Sequence, residues 1–216
     1  MDLNTFNPPY FVKRLALMRY QAANPNAPWL TADAITALQD LLKPGDVGYE
    51  FGSGRSTTWF AGRVGYLHSM EHVPEWYERV RHKLDEAKLL EKVNYQLAPD
   101  SIHTGEDELL DETHPYVKHF AEMPENSLDF VLVDGIMRLT CFRFALPRLK
   151  PGGILILDNA NRYVPNKYPE GYTTVQHHRS TPRDQDWTQT LSEISGWRGF
   201  NTTNSIWDTR FWIKPR

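Results

Sequence analysis

The stretch Val47-Gly48-Tyr49-Glu50-Phe51-Gly52-Ser53-Gly54-Arg55-Ser56-Thr57 decides the fold of this chain. A short apolar run ends in an acid, two glycines follow one residue apart, and a Ser/Thr pair opens a segment with helical character. This order predicts a strand, a tight turn and the start of a helix. Glycines suit such a turn because they reach backbone angles closed to other residues and leave main-chain N–H groups open to a ligand. Glu50, at the carboxyl end of the strand, can then accept hydrogen bonds from a cationic or hydroxyl-bearing ligand.

Composition describes a globular α/β chain of one domain. The 216 residues are 40% hydrophobic and 24% charged, and this length buries a full core. No apolar run approaches the roughly twenty residues that span a bilayer, so we expect no membrane partner. The N-terminus lacks the apolar segment of a secretory signal. Because Cys141 is the single cysteine of the sequence, the chain forms no internal disulfide. This is compatible with a reducing compartment, and we expect a cytoplasmic location.

The charge balance is slightly acidic. The sequence has 24 basic and 27 acidic residues, which gives a formal net charge of −3. Proteins that grip nucleic acid usually carry a basic surplus or a dense Lys/Arg stripe. Neither is visible in the sequence, so we expect no nucleic-acid partner and favour a small-molecule substrate.

Apolar runs and amphipathic segments alternate along the chain, which predicts a parallel sheet covered by helices on both faces. The first helix is expected to begin at Thr31, a good N-cap residue. The runs with strand character are 47–51, 64–71, 93–97, 128–133 and 154–159.

We divide the chain into an N-terminal extension and one domain. Residues 1–30 form the extension, with a helix near 11–20 that docks either on the core or on a partner subunit, so a homodimer stays open. Residues 31–216 form the domain. Within it, the polar segment 160–183 is rich in Tyr, Asn, Pro and His. Long loops in compact domains are often functional, so we expect a substrate lid there.

The glycine turn with its acid resembles motif I, acidic-x-Gly-x-Gly, of the class I S-adenosylmethionine-dependent methyltransferases. Together with segments 68–77 and 133–159, the motif Glu-Phe-Gly-Ser-Gly-Arg-Ser looks like a bacterial group of that family whose substrates are mostly unassigned. The resemblance runs from Thr31 to the C-terminus. It implies a Rossmann-like, seven-stranded, mostly parallel sheet with helices on both faces. Runs 197–203 and 209–214 would form its C-terminal antiparallel hairpin.

A dinucleotide-binding fold is the rival interpretation of the same turn. Its fingerprint is Gly-x-Gly-x-x-Gly with an acid about twenty residues later for the ribose. Here Thr57 stands at the third glycine position. Glu71 would suit a ribose in either family, so it does not decide between the two interpretations. Glu50 favours the methyltransferase, because an acid before the glycines suits a methionine amino group and not a pyrophosphate.

The predicted strands end in acids, and ligands of doubly wound sheets lie at those ends. The resemblance implies that the glycine turn lies against methionine and ribose, that Glu71 binds the ribose hydroxyls and that His72 flanks the adenine. Asp100 or Ser101 would reach the adenine amine. The cofactor-binding residues implied in this way are Glu50, Gly52, Ser53, Gly54, Ser56, Thr57, Glu71, His72, Asp100, Ser101 and Asp134.

The catalytic residues that we predict are Asp134, Asp158 and Asn159. Methyl transfer needs alignment above all, and a base only where the acceptor must lose a proton. Asp134 is the preferred base because Val-Asp-Gly sets it at a strand end. The three residues resemble the ligands with which catechol-type O-methyltransferases hold a divalent cation. Asp-Asn can also simply cap a turn, so Mg²⁺ stays open and no metal ligand is assigned.

The sequence therefore predicts an S-adenosylmethionine-dependent methyltransferase with a small-molecule acceptor, methylated on oxygen rather than nitrogen. Two alternatives stay open. One is a protein that binds S-adenosylmethionine or S-adenosylhomocysteine without catalysis. The other is a nicotinamide-dependent oxidoreductase, against which Thr57 and Glu50 count.

Overall fold

A computed structural model describes residues 8–99, 113–166 and 179–216 of the chain. The helices in these ranges are α1 Pro8–Ala23, α2 Ala32–Leu41, α3 Arg55–Ala61, α4 Pro74–Glu86, α5 Pro115–Ala121, α6 Arg138–Arg148 and α7 Gln185–Glu193. The strands are β1 Val47–Phe51, β2 Tyr66–Glu71, β3 Val93–Leu97, β4 Leu128–Val133, β5 Leu149–Asp158, β6 Arg198–Thr203 and β7 Asp208–Ile213.

The strands form one seven-stranded sheet in the order β3-β2-β1-β4-β5-β7-β6. Strands β1 to β5 run parallel, and β7 is antiparallel to both β5 and β6. The prediction of a mostly parallel sheet that ends in an antiparallel hairpin is confirmed. The chain leaves β1 toward β2 on one side and returns to β4 on the other. The carboxyl ends of β1 and β4 therefore flank the point where the strand order reverses, which is where such sheets bind ligands.

Alternation along the strands divides the apolar core into two layers. Tyr49 and Phe51 of β1 point into the layer that also holds buried residues of α5, α6 and α7. Phe130 and Leu132 of β4 point into the opposite layer, with buried residues of α2, α3 and α4. The sheet is thus covered on both faces, which explains why its central strands are apolar throughout.

Local signals set most helix boundaries where the sequence predicts them. Thr31 caps α2, and its side chain accepts a hydrogen bond from the Ala34 N–H at 3.3 Å. Pro74 opens α4, as its fixed φ favours. The main difference from the prediction lies in β5, which begins at Leu149. The predicted turn at 150–153 therefore lies inside the strand, at the point where the pairing of β5 with β4 shifts register.

Helix α1 is longer than the segment 11–20 that the sequence predicts, and its apolar side faces outward. Phe11, Leu15 and Met18 are 54%, 49% and 55% exposed, so these side chains do not dock on the core. Docking on a partner subunit stays a prediction. None of the helices in the described ranges is long and apolar enough to cross a bilayer.

Gly48 lets β1 pass under a core aromatic ring, and this gives a test of the fold. A Cβ at Gly48 would lie 2.0 Å from Phe130 Cζ, and Phe130 is fully buried against Phe60. We expect Gly48→Ala to lower the free energy of unfolding by about 1–3 kcal/mol through overpacking. The matched control is Gly45→Ala, where a Cβ meets nothing within 4 Å. Urea denaturation measures both; equal stabilities would contradict this packing.

Candidate functional site

The glycine turn after β1 brings two strand ends into backbone contact. Gly52 has φ +87°, in the region that favours glycine. A Cβ at Gly52 would lie 2.7 Å from Gly135 Cα, and one at Gly135 would lie 3.0 Å from Gly52 N. The strand ends are also joined by the Asp134 N–H, which donates to the Phe51 carbonyl at 2.9 Å. Both glycines are therefore required where β1 and β4 part.

Glu50 lies beneath this turn and holds its shape. The carboxyl group is fully buried, and its Oε2 accepts hydrogen bonds from the hydroxyls of Thr57 at 2.6 Å and Ser69 at 2.7 Å. Thr57 Oγ1 in turn accepts from the Gly54 N–H at 2.9 Å. Within the described residues, Glu50 Oε1 has no hydrogen-bond partner. Burial raises the pKa of Glu50 to about 7, although hydroxyl donors, Ser56 among them, oppose the rise.

Glu71, at the end of β2, is held by donors from the glycine turn and from its own loop. Its Oε2 accepts from Ser53 N at 3.1 Å and Ser53 Oγ at 2.5 Å, and its Oε1 accepts from the N–H groups of His72 and Val73 at 2.8 and 2.9 Å. Tyr95 Oη lies 2.7 Å from Ser53 Oγ. Burial disfavours the charged form of Glu71, but these donors outweigh it and hold its pKa below the ordinary value.

Arg138 joins the ends of β4 and β5 through one buried guanidinium group. Nε donates to the Gly135 carbonyl at 2.9 Å, Nη1 donates to the Asp158 carbonyl, and Nη2 donates to the Asp134 carbonyl at 2.8 Å. Nη2 also contacts Asp134 Oδ1 and Asn159 Oδ1, each at 3.2 Å. Because one cation bonds five oxygens of two strand ends, it fixes how Asp134 and Asn159 present themselves at this edge.

The two catalytic acids that the sequence predicts lie in different surroundings. Asp158 is 3% exposed and accepts from Thr209 Oγ1 at 2.7 Å and Asn159 Nδ2 at 2.8 Å. Burial is the main cause that raises the pKa of Asp158 to about 8, and the charge of Asp134 is the second. The Asp134 side chain is 28% exposed beside Arg138. Burial raises the pKa of Asp134, and Arg138 opposes that rise.

These acids do not fit a divalent cation. Asp134 Oδ1 and Asn159 Oδ1 both accept from Arg138, so a cation already lies between these two side chains. Both oxygens of Asp158 accept from protein donors instead. In the part of the chain that the structure describes, no group of three or more His, Cys, Asp or Glu side chains could hold a metal ion. We therefore derive no chemical step through Mg²⁺.

The structure brings together most of the site residues that the sequence predicts. The glycine turn, Glu71, His72, Asp134, Asp158 and Asn159 all lie at the carboxyl edge of the sheet. Asp100 and Ser101 lie outside the described residues, as do 167–178 of the predicted lid. The described ends of segment 160–183 pair with each other: Asn166 N–H donates to the Arg179 carbonyl at 3.3 Å, and Arg183 N–H donates to the Tyr163 carbonyl at 2.8 Å.

Five residues at this edge were not predicted from the sequence as site residues. Ser69 and Tyr95 are polar positions inside strands, Trp76 Nε1 donates to the Ser53 carbonyl at 2.8 Å, and Tyr116 lies fully buried above Gly135. Only Arg138 leaves a signal, because it follows Asp134 by four residues at a helix start. The others act across long sequence separations, which spacing does not reveal.

Comparison with known proteins shows the fold and leaves the activity open. No protein-family model and no curated protein matches the chain. The structure resembles a methyltransferase from Geobacter sulfurreducens over 99% of this chain and 93% of that protein, with a TM-score of 0.57 and 13% identity. This chain has the class I methyltransferase fold.

The same methyltransferase fold carries more than one activity. A candidate rRNA methylase from Clostridium thermocellum matches over 85% of this chain and 94% of its own, with a TM-score of 0.52 and 13% identity. The (4+2)-cyclase SpnF matches over 88% and 83%, with a TM-score of 0.50 and 13% identity. Fold alone therefore does not assign the reaction. Nothing in these matches identifies the specific bacterial group that the motif resembles.

The prediction that excluded nucleic acid is wrong. It rested on the net charge of −3 and on the lack of a basic stripe. The candidate rRNA methylase has the same fold along nearly its whole length, so this architecture does not exclude a nucleic-acid substrate. Whole-chain charge also says little about one face, since local potentials depend on how charges are distributed.

The raised pKa of Glu50 predicts how stability depends on pH. The pKa of Glu50 in the folded protein lies near 7, above the ordinary 4.5. Such a carboxyl makes its full contribution to the free energy of unfolding below the pKa of the unfolded state. This contribution is lost as the pH rises through the pKa of the folded state. Glu50→Gln cannot ionise. We therefore expect its unfolding free energy to rise relative to the native protein by about 3 kcal/mol between roughly pH 5 and pH 8.

Urea titrations across this pH range measure the difference. Glu193→Gln is the control, because Glu193 is exposed on α7 and should leave the profile unchanged. Parallel profiles for the native protein and Glu50→Gln would contradict a raised pKa at Glu50.

Proposed function

We propose that this chain is an S-adenosylmethionine-dependent methyltransferase. The observation that carries the proposal is the convergence of four carboxyl groups, Glu50, Glu71, Asp134 and Asp158, around the contact between the ends of β1 and β4. Charges on these groups act on one another: Asp134 raises the pKa of both Glu50 and Asp158. Such a site favours a ligand with cationic groups, and S-adenosylmethionine carries both a sulfonium and an ammonium group. The site disfavours the pyrophosphate of a nicotinamide cofactor.

The residues at this edge fit the two ends of that cofactor. Gly52 and Gly135 are in a backbone contact that leaves no room for a Cβ. A Cβ at Gly54 would make only ordinary van der Waals contacts, with its nearest heavy atom at 3.9 Å, so the turn is less crowded on that side. Glu71 is ionised near neutral pH and already accepts from the Ser53 hydroxyl. We assign Glu71 to the ribose hydroxyls, which would take the place of Ser53 Oγ.

The remaining cofactor residues act mainly through the turn. Glu50, Ser56 and Thr57 lie buried beneath it and hold its conformation, while Ser53 and His72 line the approach to Glu71. This division follows from burial, since a fully buried side chain supports the ligand-binding backbone and does not reach the ligand itself.

We assign the general base to Asp134. The cofactor supplies an activated methyl group on sulfur, so the protein aligns the acceptor and, for a hydroxyl, takes its proton. Asp134 is the more exposed of the two predicted acids, and its raised pKa suits a base. Asp158 and Asn159 are positioning residues, because their side-chain oxygens are already bonded within the protein. This assignment favours oxygen as the methylated atom of a small acceptor.

Ligand titration tests the cofactor assignment. We expect micromolar calorimetric binding of S-adenosylmethionine and S-adenosylhomocysteine, and none of NAD. Glu71→Ala should weaken both by about tenfold or more, because hydrogen bonds to a charged group are lost. Glu193→Ala, which removes an exposed acid on α7, is the control and should bind as the native protein does. Binding of NAD alone would reject the proposal in favour of hydride transfer.

Transfer of a labelled methyl group tests catalysis. Hydroxyl-bearing small molecules and RNA are offered in parallel, since the fold is shared with a candidate rRNA methylase. With the acceptor that is labelled, Asp134→Asn should lower kcat by about 10²-fold or more, the usual worth of a general base. Labelling of RNA alone would overturn the small-acceptor assignment. Tight cofactor binding with no transfer to either class would instead support a non-catalytic binding protein.

A further inference from the structure

Tyr116 carries a buried hydroxyl group at the functional edge. The side chain lies in the first turn of α5 and is fully buried. Within the described part of the chain, its Oη has no hydrogen-bond partner. A buried hydroxyl without a partner costs free energy, and a phenylalanine would fill the same space without that cost. Folding by itself therefore does not account for tyrosine at this position.

The hydroxyl lies where three strand ends meet. A Cβ at Gly135, after β4, would lie 1.9 Å from Tyr116 Oη, and Gly135 is in backbone contact with Gly52, after β1. The ring of His72, after β2, lies edge-on to the Tyr116 ring at 5.9 Å. Tyr116 Oη thus lies at the contact between the ends of β1 and β4, beside the site that we assign to the cofactor and on the side of α5.

The nearby protein groups leave this hydroxyl without an acceptor of its own. Both oxygens of Glu71 accept from Ser53 and from backbone N–H groups, and Asp134 Oδ1 accepts from Arg138. Burial raises the pKa of Tyr116 well above its ordinary value, so the phenol stays protonated and donates. A ligand bound at this edge can supply the missing acceptor.

We propose that the Tyr116 hydroxyl donates a hydrogen bond to the methionine carboxylate of the bound cofactor; this rests on the proposed function. Among the polar groups of that cofactor, the ribose hydroxyls and the ammonium group are donors that suit the acids of the site. The carboxylate is an anion and needs a donor amid those acids. The Gly54 N–H, a nearby backbone donor, is already taken by Thr57.

Tyr116→Phe tests this by removing one oxygen atom. Binding is measured by calorimetry with S-adenosylhomocysteine and with 5′-methylthioadenosine, which has the same adenosine part but no carboxylate. We expect the variant to bind S-adenosylhomocysteine about tenfold more weakly, the worth of a hydrogen bond to a charged group. We expect methylthioadenosine to bind equally to both proteins. The melting temperature should stay equal or rise, because the lost hydroxyl has no partner in the free protein.

The matched control is Tyr49→Phe. Tyr49 is also a buried tyrosine that packs on Phe51, but it lies two residues before the end of β1, and its substitution should change neither affinity. Equal loss for both ligands in Tyr116→Phe would overturn the carboxylate assignment and place the hydroxyl at the adenosine. Unchanged affinities would make Tyr116 a packing residue only. If the native protein binds neither ligand, the proposed function itself fails, and this proposal falls with it.

Discussion

The backbone contact between Gly52 and Gly135 is the constraint on which the functional edge depends. At a topological switch point the chain leaves two adjacent parallel strands in opposite directions, and a cleft opens between the departing segments. Here the two segments touch before they separate, at a distance that no Cβ permits. The acids at the ends of β1, β4 and the neighbouring strands β2 and β5 then lie around this contact.

The electrostatics of this edge follow from that geometry. Carboxyl groups that share a dry space cannot all ionise at ordinary pKa values. The protein separates them: donors around Glu71 favour its charge, whereas burial raises the pKa values of Glu50 and Asp158. Arg138 donates to side-chain oxygens of both Asp134 and Asn159. The site is therefore a group of acids around one buried cation, Arg138. This arrangement suits the positioning of a charged ligand better than the binding of a metal ion.

Thr57 shows where pattern matching falls short. In the sequence it occupies a position that the dinucleotide fingerprint reserves for glycine, and the family resemblance counts it among the cofactor-binding residues. In the structure its hydroxyl accepts from Gly54 and donates to Glu50, so it ties the turn to the buried acid. Arg138 and Tyr116 are similar cases, because their roles come from atoms on other strands and helices that spacing along the chain does not reveal.

The family resemblance implied the closing hairpin, but the sequence by itself determined the alternation of strands and helices, the parallel sheet and the acids at the strand ends. These follow from apolar periodicity, caps and glycines, which act over a few residues. Only the tertiary structure decided which acids are buried, which donors they meet and that Arg138 stands between Asp134 and Asn159. The physical reason is that burial and hydrogen-bond partners arise from segments far apart in the chain, such as Asp158 and Thr209, which meet only when the sheet closes.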